Sequence, residues 1–179
     1  MRMHALALNP IRHYLATIAL CMLVAGCSVG VPLPNPPAAI LHSPKTLHVV
    51  KQRPGEPDHD AILVARSEGD RTYWALFDAL GVPLARQILQ DGKWQNDGFL
   101  PPNPDARALF AGLIFAWTPT TQLTARYPAH NITHEGDTRI LGNGDKALVT
   151  VTTTAAHHLQ LLLDNGTRWQ VMPLEETHE

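Results

Sequence analysis

Cysteine and serine are scarce beyond the first 27 of the 179 residues. No cysteine follows Cys27, and the only serines are Ser28, Ser43 and Ser67. The rest of the chain therefore has no pair of thiols for a disulfide, and its stability must come from a hydrophobic core. No serine lies in a nucleophile-elbow pattern, so no side chain is placed for covalent catalysis. We predict that the protein is not an enzyme and that it needs no cofactor.

Basic residues are few and are not clustered. The chain has 14 Lys and Arg against 16 Asp and Glu, and two of the arginines, Arg2 and Arg12, fall near the N-terminus. No group of Lys or Arg interleaved with aromatic residues is present to neutralise phosphates. We therefore predict no nucleic-acid partner.

Long apolar runs are also absent, and the apolar run near the N-terminus is short. Residues 14–23 follow two arginines and are too few for a transmembrane helix, which needs ~20 residues. The segment Leu23-Val-Ala-Gly-Cys27 resembles the lipobox of bacterial lipoproteins, in which the cysteine receives diacylglycerol before cleavage. The resemblance implies a signal peptide at 1–26 and lipid attached to Cys27. An ordinary secretory signal with a chance cysteine is the alternative.

The residues after Cys27 predict where the protein is held. Many inner-membrane lipoproteins have aspartate at the next position, which is Ser28 here, so the resemblance implies the outer membrane and a domain facing the periplasm. Five prolines lie between residues 28 and 44, which predicts an extended, polyproline-like tether. At ~3.1 Å per residue this tether could hold the domain up to roughly 50 Å from the bilayer.

Beyond residue 45, short apolar runs alternate with turns that contain glycine, a pattern typical of antiparallel strands. Ten strands are expected, at 46–53, 61–67, 71–78, 82–89, 93–96, 131–134, 138–141, 146–153, 158–164 and 167–172. In mid-sequence, Asp105 is expected to cap a helix over 106–117 that has one apolar face. Thr118 and Pro119 are expected to begin a second helix, which ends near Arg126.

This order predicts an α+β fold, in which a two-helix lid inserted in mid-sequence covers a curved antiparallel sheet, or incomplete barrel. One domain is expected at 45–175, preceded by the lipidated N-terminus and tether at 27–44. Residues 176–179 are expected to form a disordered tail.

Histidine and carboxylate residues give no recognisable site. The partial clusters are Asp58-His59-Asp60, His130 with His134, and His157-His158. None has a third ligand at zinc-site spacing, and adjacent residues on a strand point to opposite faces. Most aspartates adjoin glycine or asparagine, which is typical of turns. We predict no metal site.

Several segments carry a resemblance to known families. They are Leu80-Gly81 in a hairpin, Phe115-Ala-Trp117-Thr-Pro119 and Tyr127-Pro128. With the order of elements, they resemble a family of uncharacterised Gram-negative outer-membrane lipoproteins whose genes accompany aryl-polyene biosynthesis. More distantly, the chain is similar to the lipoprotein-localisation carrier and its outer-membrane receptor, whose incomplete barrel and helical lid hold acyl chains. The receptor exposes a leucine beside a glycine, which implies a contact role for Leu80.

Two functions are the main alternatives at this point, and an enzyme, which would require an unrecognised carboxylate or histidine pair, comes third. An apolar cavity between lid and sheet would hold a lipid, acyl or aryl-polyene chain without catalysis, with the membrane as a partner through Cys27. Its expected lining is Leu63, Trp74, Leu76, Leu84, Leu109, Phe110, Leu113, Ile114, Trp117 and Val149. The alternative is a solid core with an envelope protein as partner, bound at a sheet edge or at Leu80.

Overall fold

The computed structural model describes residues 30–35 and 41–174. The predicted signal peptide, Cys27 and the predicted tail lie outside these residues. The described part holds ten strands and two helices: β1 Lys45–Gln52, β2 His59–Glu68, β3 Arg71–Asp78, β4 Pro83–Gln90, β5 Lys93–Asn96, α1 Pro104–Trp117, α2 Thr120–Arg126, β6 Asn131–Glu135, β7 Thr138–Asn143, β8 Lys146–Ala155, β9 His158–Leu163 and β10 Arg168–Pro173.

All ten strands join one antiparallel sheet in the order β5-β4-β3-β2-β1-β10-β9-β8-β7-β6. Two five-strand meanders are therefore joined where the first strand pairs with the last. Within the described residues β5 and β6 are the two edges, so the sheet is curved but does not close. The predicted α+β fold with a curved antiparallel sheet is confirmed.

Alternation along the strands decides which side chains fill the core. Val49 of β1 lies opposite Ala61 of β2 and Val171 of β10, and all three are buried. Successive side chains on a strand point to opposite faces, so each strand sends every second residue to the concave face. These residues surround α1.

Helix α1 is buried on more than the one face that the sequence predicts. Ala111, Gly112 and Phe115 are buried in addition to the expected apolar positions. Gly112 faces β8 and β9 so closely that a Cβ atom there would lie 2.7 Å from Leu161 Cδ2. The expectation of an amphipathic lid helix is wrong in this respect, because the curved sheet encloses α1 as part of the core.

Both helices begin differently from the prediction. Asn103, not Asp105, is the N-cap of α1, since its side chain accepts a hydrogen bond from the Ala106 N–H at 3.0 Å. Thr118 closes α1 instead of opening α2, and its hydroxyl donates to the Ile114 carbonyl at 2.7 Å. Asn103-Pro104 supplies a cap and a first-turn proline, the arrangement that favours a helix start.

The predicted tether is partly folded onto the domain. Residues 30–35, called the strap below, hold Val31 and Leu33 against the core, and Pro34 is buried. Leu41 is also buried in the core. The expectation of an extended tether up to residue 44 is therefore wrong at these positions, and the folded domain begins before residue 45.

The molecule has two distinct ends. Because neighbouring strands are antiparallel, the β1–β2, β3–β4, β7–β8 and β9–β10 turns lie together at one end, called the proximal end. Helix α1 also begins there, since the Asn103 side chain donates to the Leu84 carbonyl at 3.2 Å. The β2–β3, β4–β5, β6–β7 and β8–β9 turns lie at the opposite, distal end.

Candidate functional site

The residues predicted to line a cavity form a packed core instead. The eight that are buried are Leu63, Trp74, Leu76, Leu109, Phe110, Leu113, Ile114 and Val149. Trp74 stacks between Phe110 and Trp117, with ring centroids 5.2 and 6.0 Å away. Trp117 is half-buried at the edge of this stack. The prediction that α1 faces these strands is right, but the side chains themselves occupy the space between them.

Leu84 differs from the other predicted lining residues because it is 41% exposed. The β3–β4 register shifts between Leu76 and Phe77, so that Leu76 pairs with Ala85 and Phe77 with Pro83. Leu84 is the extra residue of this bulge, which bends the strand and changes the direction of its side chain. The bulge brings Leu84 to the proximal end, beside the start of α1.

An open cleft of about 390 Å³ lies at this position and is called the α1 cleft. Its apolar wall consists of Ala61, Leu76, Leu84, Ala106 and Trp169, and its polar rim of Lys51, His59, Asp60, Asp78, Asn103 and Asp105. An apolar wall with a few polar groups at its rim is the usual composition of a small-molecule site. The volume falls in the lower part of the ~300–1,000 Å³ range of such sites.

The rim of the α1 cleft is tied together by an ion-pair cluster. Asp105, in the first turn of α1, accepts hydrogen bonds from Lys51 and, at 3.1 Å to both carboxylate oxygens, from Arg53. Burial would raise the pKa of Asp105, but the hydrogen bonds and charges of Lys51 and Arg53 outweigh it and lower that pKa. Arg53 also donates to the buried Thr167 hydroxyl at 3.0 Å. The cluster joins α1 to β1 and to the start of β10.

Trp169 lies in the wall of the α1 cleft and has a buried hydrogen-bond donor without a partner among the described residues. Its indole is buried, and its Nε1 atom has no partner within the described part of the chain. A buried N–H without an acceptor costs about 1–3 kcal/mol.

Large apolar side chains stand out from the loops around the α1 cleft. Leu80 is 89% exposed, Phe99 is fully exposed and Val82 is half exposed. We call Leu80, Val82 and Phe99 the apolar rim. Phe99 lies at the proximal end because its loop is held there on both sides. Before it, the Asp97 N–H donates to the Arg86 carbonyl at 3.1 Å, and after it, Asn103 begins α1.

Leu80 is held out by a rigid hairpin, as expected from its position beside Gly81. The Asp78 carboxylate accepts from the N–H groups of Leu80 and Val82 at 2.9 and 2.8 Å. The Gly81 N–H donates to the Asp78 carbonyl, and Gly81 has φ of 80°. Only glycine adopts this conformation without strain, so the pair Leu80-Gly81 fixes the hairpin.

The histidine clusters remain apart in the fold. The His48 ring hydrogen-bonds to the Asp60 carboxylate at 2.8 Å and so joins β1 to β2. Asp60 therefore pairs with a residue outside the Asp58-His59-Asp60 group. Among the residues that the structure describes, no three His, Cys, Asp or Glu side chains converge in a way that could hold a metal ion. The same residues contain no helix long and apolar enough to cross a membrane.

Two sequence comparisons find no relative of the chain. No family model matches the chain, and no curated protein sequence is significantly similar to it. The site must therefore be interpreted from its own geometry.

Sequence reasoning did not identify several of these residues. Phe99 carried a usable signal, because a large aromatic residue between Gly98 and Pro101 is in a loop that cannot bury it. Lys51, Arg53 and Trp169 carried none, since they meet at the α1 cleft only after β1 and β10 pair.

Proposed function

We propose that the protein is an outer-membrane-anchored periplasmic lipoprotein, attached through lipid on Cys27, that binds or positions an acyl or aryl-polyene chain without catalysis. The observation that supports this proposal best is the α1 cleft, whose apolar wall opens at the same end as the apolar rim. This cleft takes the place of the cavity that the sequence predicts beneath α1. The anchor and the resemblance to lipoprotein families support the location.

The α1 cleft can bind part of an apolar chain by simple desolvation. Each methylene removed from water contributes ~0.8 kcal/mol, so six would contribute ~5 kcal/mol before the entropy of ordering the chain is subtracted. At the rim, Lys51 is paired with Asp105, and Asp60 and Asp78 carry further carboxylates. The cleft therefore suits the hydrocarbon part of such a chain, with a charged end left outside the rim.

Titration with a brominated fatty acid tests this proposal. The mature chain with Cys27→Ala would be used, because bromine quenches tryptophan on contact and Trp169 lies in the wall of the α1 cleft. We expect saturable quenching that is reduced in Trp169→Phe and weakened at least tenfold in affinity by Leu84→Asp, about 1.4 kcal/mol. Leu162→Asp is the matched control, since Leu162 is 40% exposed on β9, away from the α1 cleft. Absence of saturable binding would refute the proposal.

A second candidate function is a docking module for an envelope protein. It is favoured by the packed core and by Leu80, which the hairpin holds rigidly in solvent. Leu80→Glu separates the two candidates. Under docking it abolishes capture of the partner, whereas under lipid binding it leaves the affinity for isolated fatty acid unchanged, because Leu80 is outside the α1 cleft.

A further inference from the structure

The convex face of β2, β3 and β4 is apolar, although it points away from the core. An antiparallel sheet that packs on one side usually carries polar side chains on the other. The second meander follows this rule, since the convex positions of β8 and β9 include Thr150, Thr152 and Gln160. The first meander does not, and its half-buried convex side chains include Ile62, Val64, Tyr73, Phe77 and Ile88. A contiguous apolar patch of this kind is typical of a binding surface.

An open pocket of about 320 Å³ lies on this face and is called the β3 pocket. The strand register explains why it forms there. Ala75 of β3 lies opposite Val64 of β2 and Arg86 of β4. Tyr73 and Phe77 are the neighbours of Ala75 on the same side of β3, because side chains alternate along a strand. One small side chain is thus surrounded by four larger ones, and the space above its methyl group stays open.

The dimensions of the β3 pocket suit a flat ring. Tyr73 and Phe77 are four residues apart, which places their Cα atoms ~13 Å apart along the strand and leaves room for a ring between them. The volume lies at the lower end of the ~300–1,000 Å³ range of small-molecule sites, so the ligand is small.

Two arginines give the β3 pocket a positive lining. Arg66 and Arg86 both border it, against one carboxylate, that of Asp97. The Arg66 guanidinium lies 4.2 Å from the centre of the Tyr73 ring and donates to Glu68 at 2.8 Å. Arg86 donates to Asp97 at 2.7 Å. A guanidinium has five N–H donors, so each arginine has donors left for an anion after these bonds.

We propose that the β3 pocket binds a small organic anion in which a carboxylate is attached to a flat apolar ring. The ring lies over Ala75 between Tyr73 and Phe77, whose aromatic side chains pack well against another ring. The carboxylate accepts charge-assisted hydrogen bonds from Arg66 and Arg86. This pocket is on the opposite face of the sheet from α1, so the inference does not depend on lipid binding in the α1 cleft. A failed fatty-acid titration would leave it unaffected.

Titration calorimetry with 2-naphthoate tests this inference. The mature chain with Cys27→Ala is titrated with 2-naphthoate and with 2-naphthamide, which has the same rings but no charge. We expect saturable binding of 2-naphthoate to one site. The amide should bind at least tenfold more weakly, because it lacks the carboxylate that accepts charge-assisted hydrogen bonds from the arginines.

Four variants locate the bound 2-naphthoate. Ala75→Leu fills the β3 pocket from its floor and should abolish binding. Thr150→Leu is the matched control, since it enlarges a convex-face side chain on β8 and should leave the affinity unchanged. Arg86→Gln should weaken binding at least tenfold. Asp97→Asn should strengthen it severalfold, because it removes the carboxylate that repels an anion at this position.

Urea unfolding shows whether each variant is folded. The two charge variants alter a partly exposed ion pair, which contributes only ~0–1 kcal/mol to stability, so they keep the test valid if Ala75→Leu does not fold. Absence of saturable 2-naphthoate binding, or equal affinity for the amide, would overturn the proposal. Unchanged affinity in folded Ala75→Leu or in Arg86→Gln would also overturn it, because the probe would then bind elsewhere.

Discussion

Asp105 is the residue on which the junction between α1 and β1 depends most. It pairs with Lys51 and Arg53, and Arg53 extends the cluster to Thr167. The pKa of Asp105 is lower in the fold than in the unfolded chain, so the unfolded state binds the proton more readily. The stabilisation is therefore present above the unfolded pKa of ~3.9 and is lost as the pH falls through the lower folded value.

Asp105→Asn should lower the free energy of unfolding by about 1–2 kcal/mol at pH 7, because it removes two charge-assisted hydrogen-bond partnerships. The difference from the unmodified chain should begin to shrink below about pH 4, where the unfolded chain binds a proton at Asp105, and should vanish only below the lower folded pKa. Urea unfolding at both pH values measures this. Asp97→Asn is the comparison, since the exposed Asp97–Arg86 pair is expected to contribute only ~0–1 kcal/mol at pH 7. An equal loss from Asp105→Asn at both pH values would contradict the interpretation.

Residue-level prediction from the sequence succeeds where local pattern alone determines exposure. Leu80 beside Gly81 is exposed as expected, because a tight hairpin cannot bury its tip. Leu84 is exposed, although the sequence predicts it among the apolar lining residues. The alternation of apolar and polar residues cannot predict the bulge opposite Leu76 and Phe77. The Asp105 cluster depends on a contact between distant segments and has no local signature.

The sequence offers two candidate N-cap residues at the start of α1. Asn103 and Asp105 are both good N-cap residues and flank Pro104. Proline favours the first turn of a helix, so a helix that includes Pro104 selects Asn103 as the cap. Asp105 is thereby left in the first turn, where its negative charge interacts favourably with the helix dipole.

Asn103→Ala should destabilise the protein by about 1–2 kcal/mol, because it removes the acceptor for the Ala106 N–H and the donor to the Leu84 carbonyl. Asn103→Asp keeps the acceptor and should restore most of the loss. Both variants are compared with the unmodified chain by urea unfolding at pH 7. If Asn103→Asp is no better than Asn103→Ala, capping of α1 is not the source of the stabilisation.

The surroundings of α1 were less predictable than its existence. The apolar spacing of Leu109, Phe110, Leu113 and Ile114 indicates one buried face, and that face does meet Trp74 and its neighbours. Burial of Gly112 on another side depends on β8 and β9, and Phe115 packs edge-to-face against Tyr127, with ring centroids 5.6 Å apart. The sequence near α1 includes neither strand, so it cannot distinguish a lid helix from a core helix.

At the scale of the whole molecule, the ten strands can be predicted because glycine marks the turns between many of them. Glycine with positive φ occurs in the turns at Gly69, Gly92, Gly136 and Gly166, which separate successive strands. Hairpins between neighbours in sequence then give both meanders. The pairing of β1 with β10 has no local signal, and neither does the packing of the strap, because each joins segments that are distant in sequence.

The seam between β1 and β10 leads to a prediction about folding order. Val171 pairs with Val49 across this seam, whereas Val151 pairs with Leu161 inside the β8–β9 hairpin, and all four residues are buried. Closing a loop that spans nearly the whole domain loses more entropy than closing a hairpin, so the seam should form late. Contacts that form after the transition state affect unfolding rates rather than folding rates.

Val171→Ala and Val151→Ala remove the same two methyl groups from buried sites, and each should lower stability by about 2 kcal/mol. Val151→Ala is expected to slow folding, whereas Val171→Ala is expected to leave the folding rate nearly unchanged and to speed unfolding. Stopped-flow folding and unfolding in urea measures both rates. If Val171→Ala slows folding as much as Val151→Ala, the seam is already formed in the transition state, and the two meanders do not fold as separate units before they join.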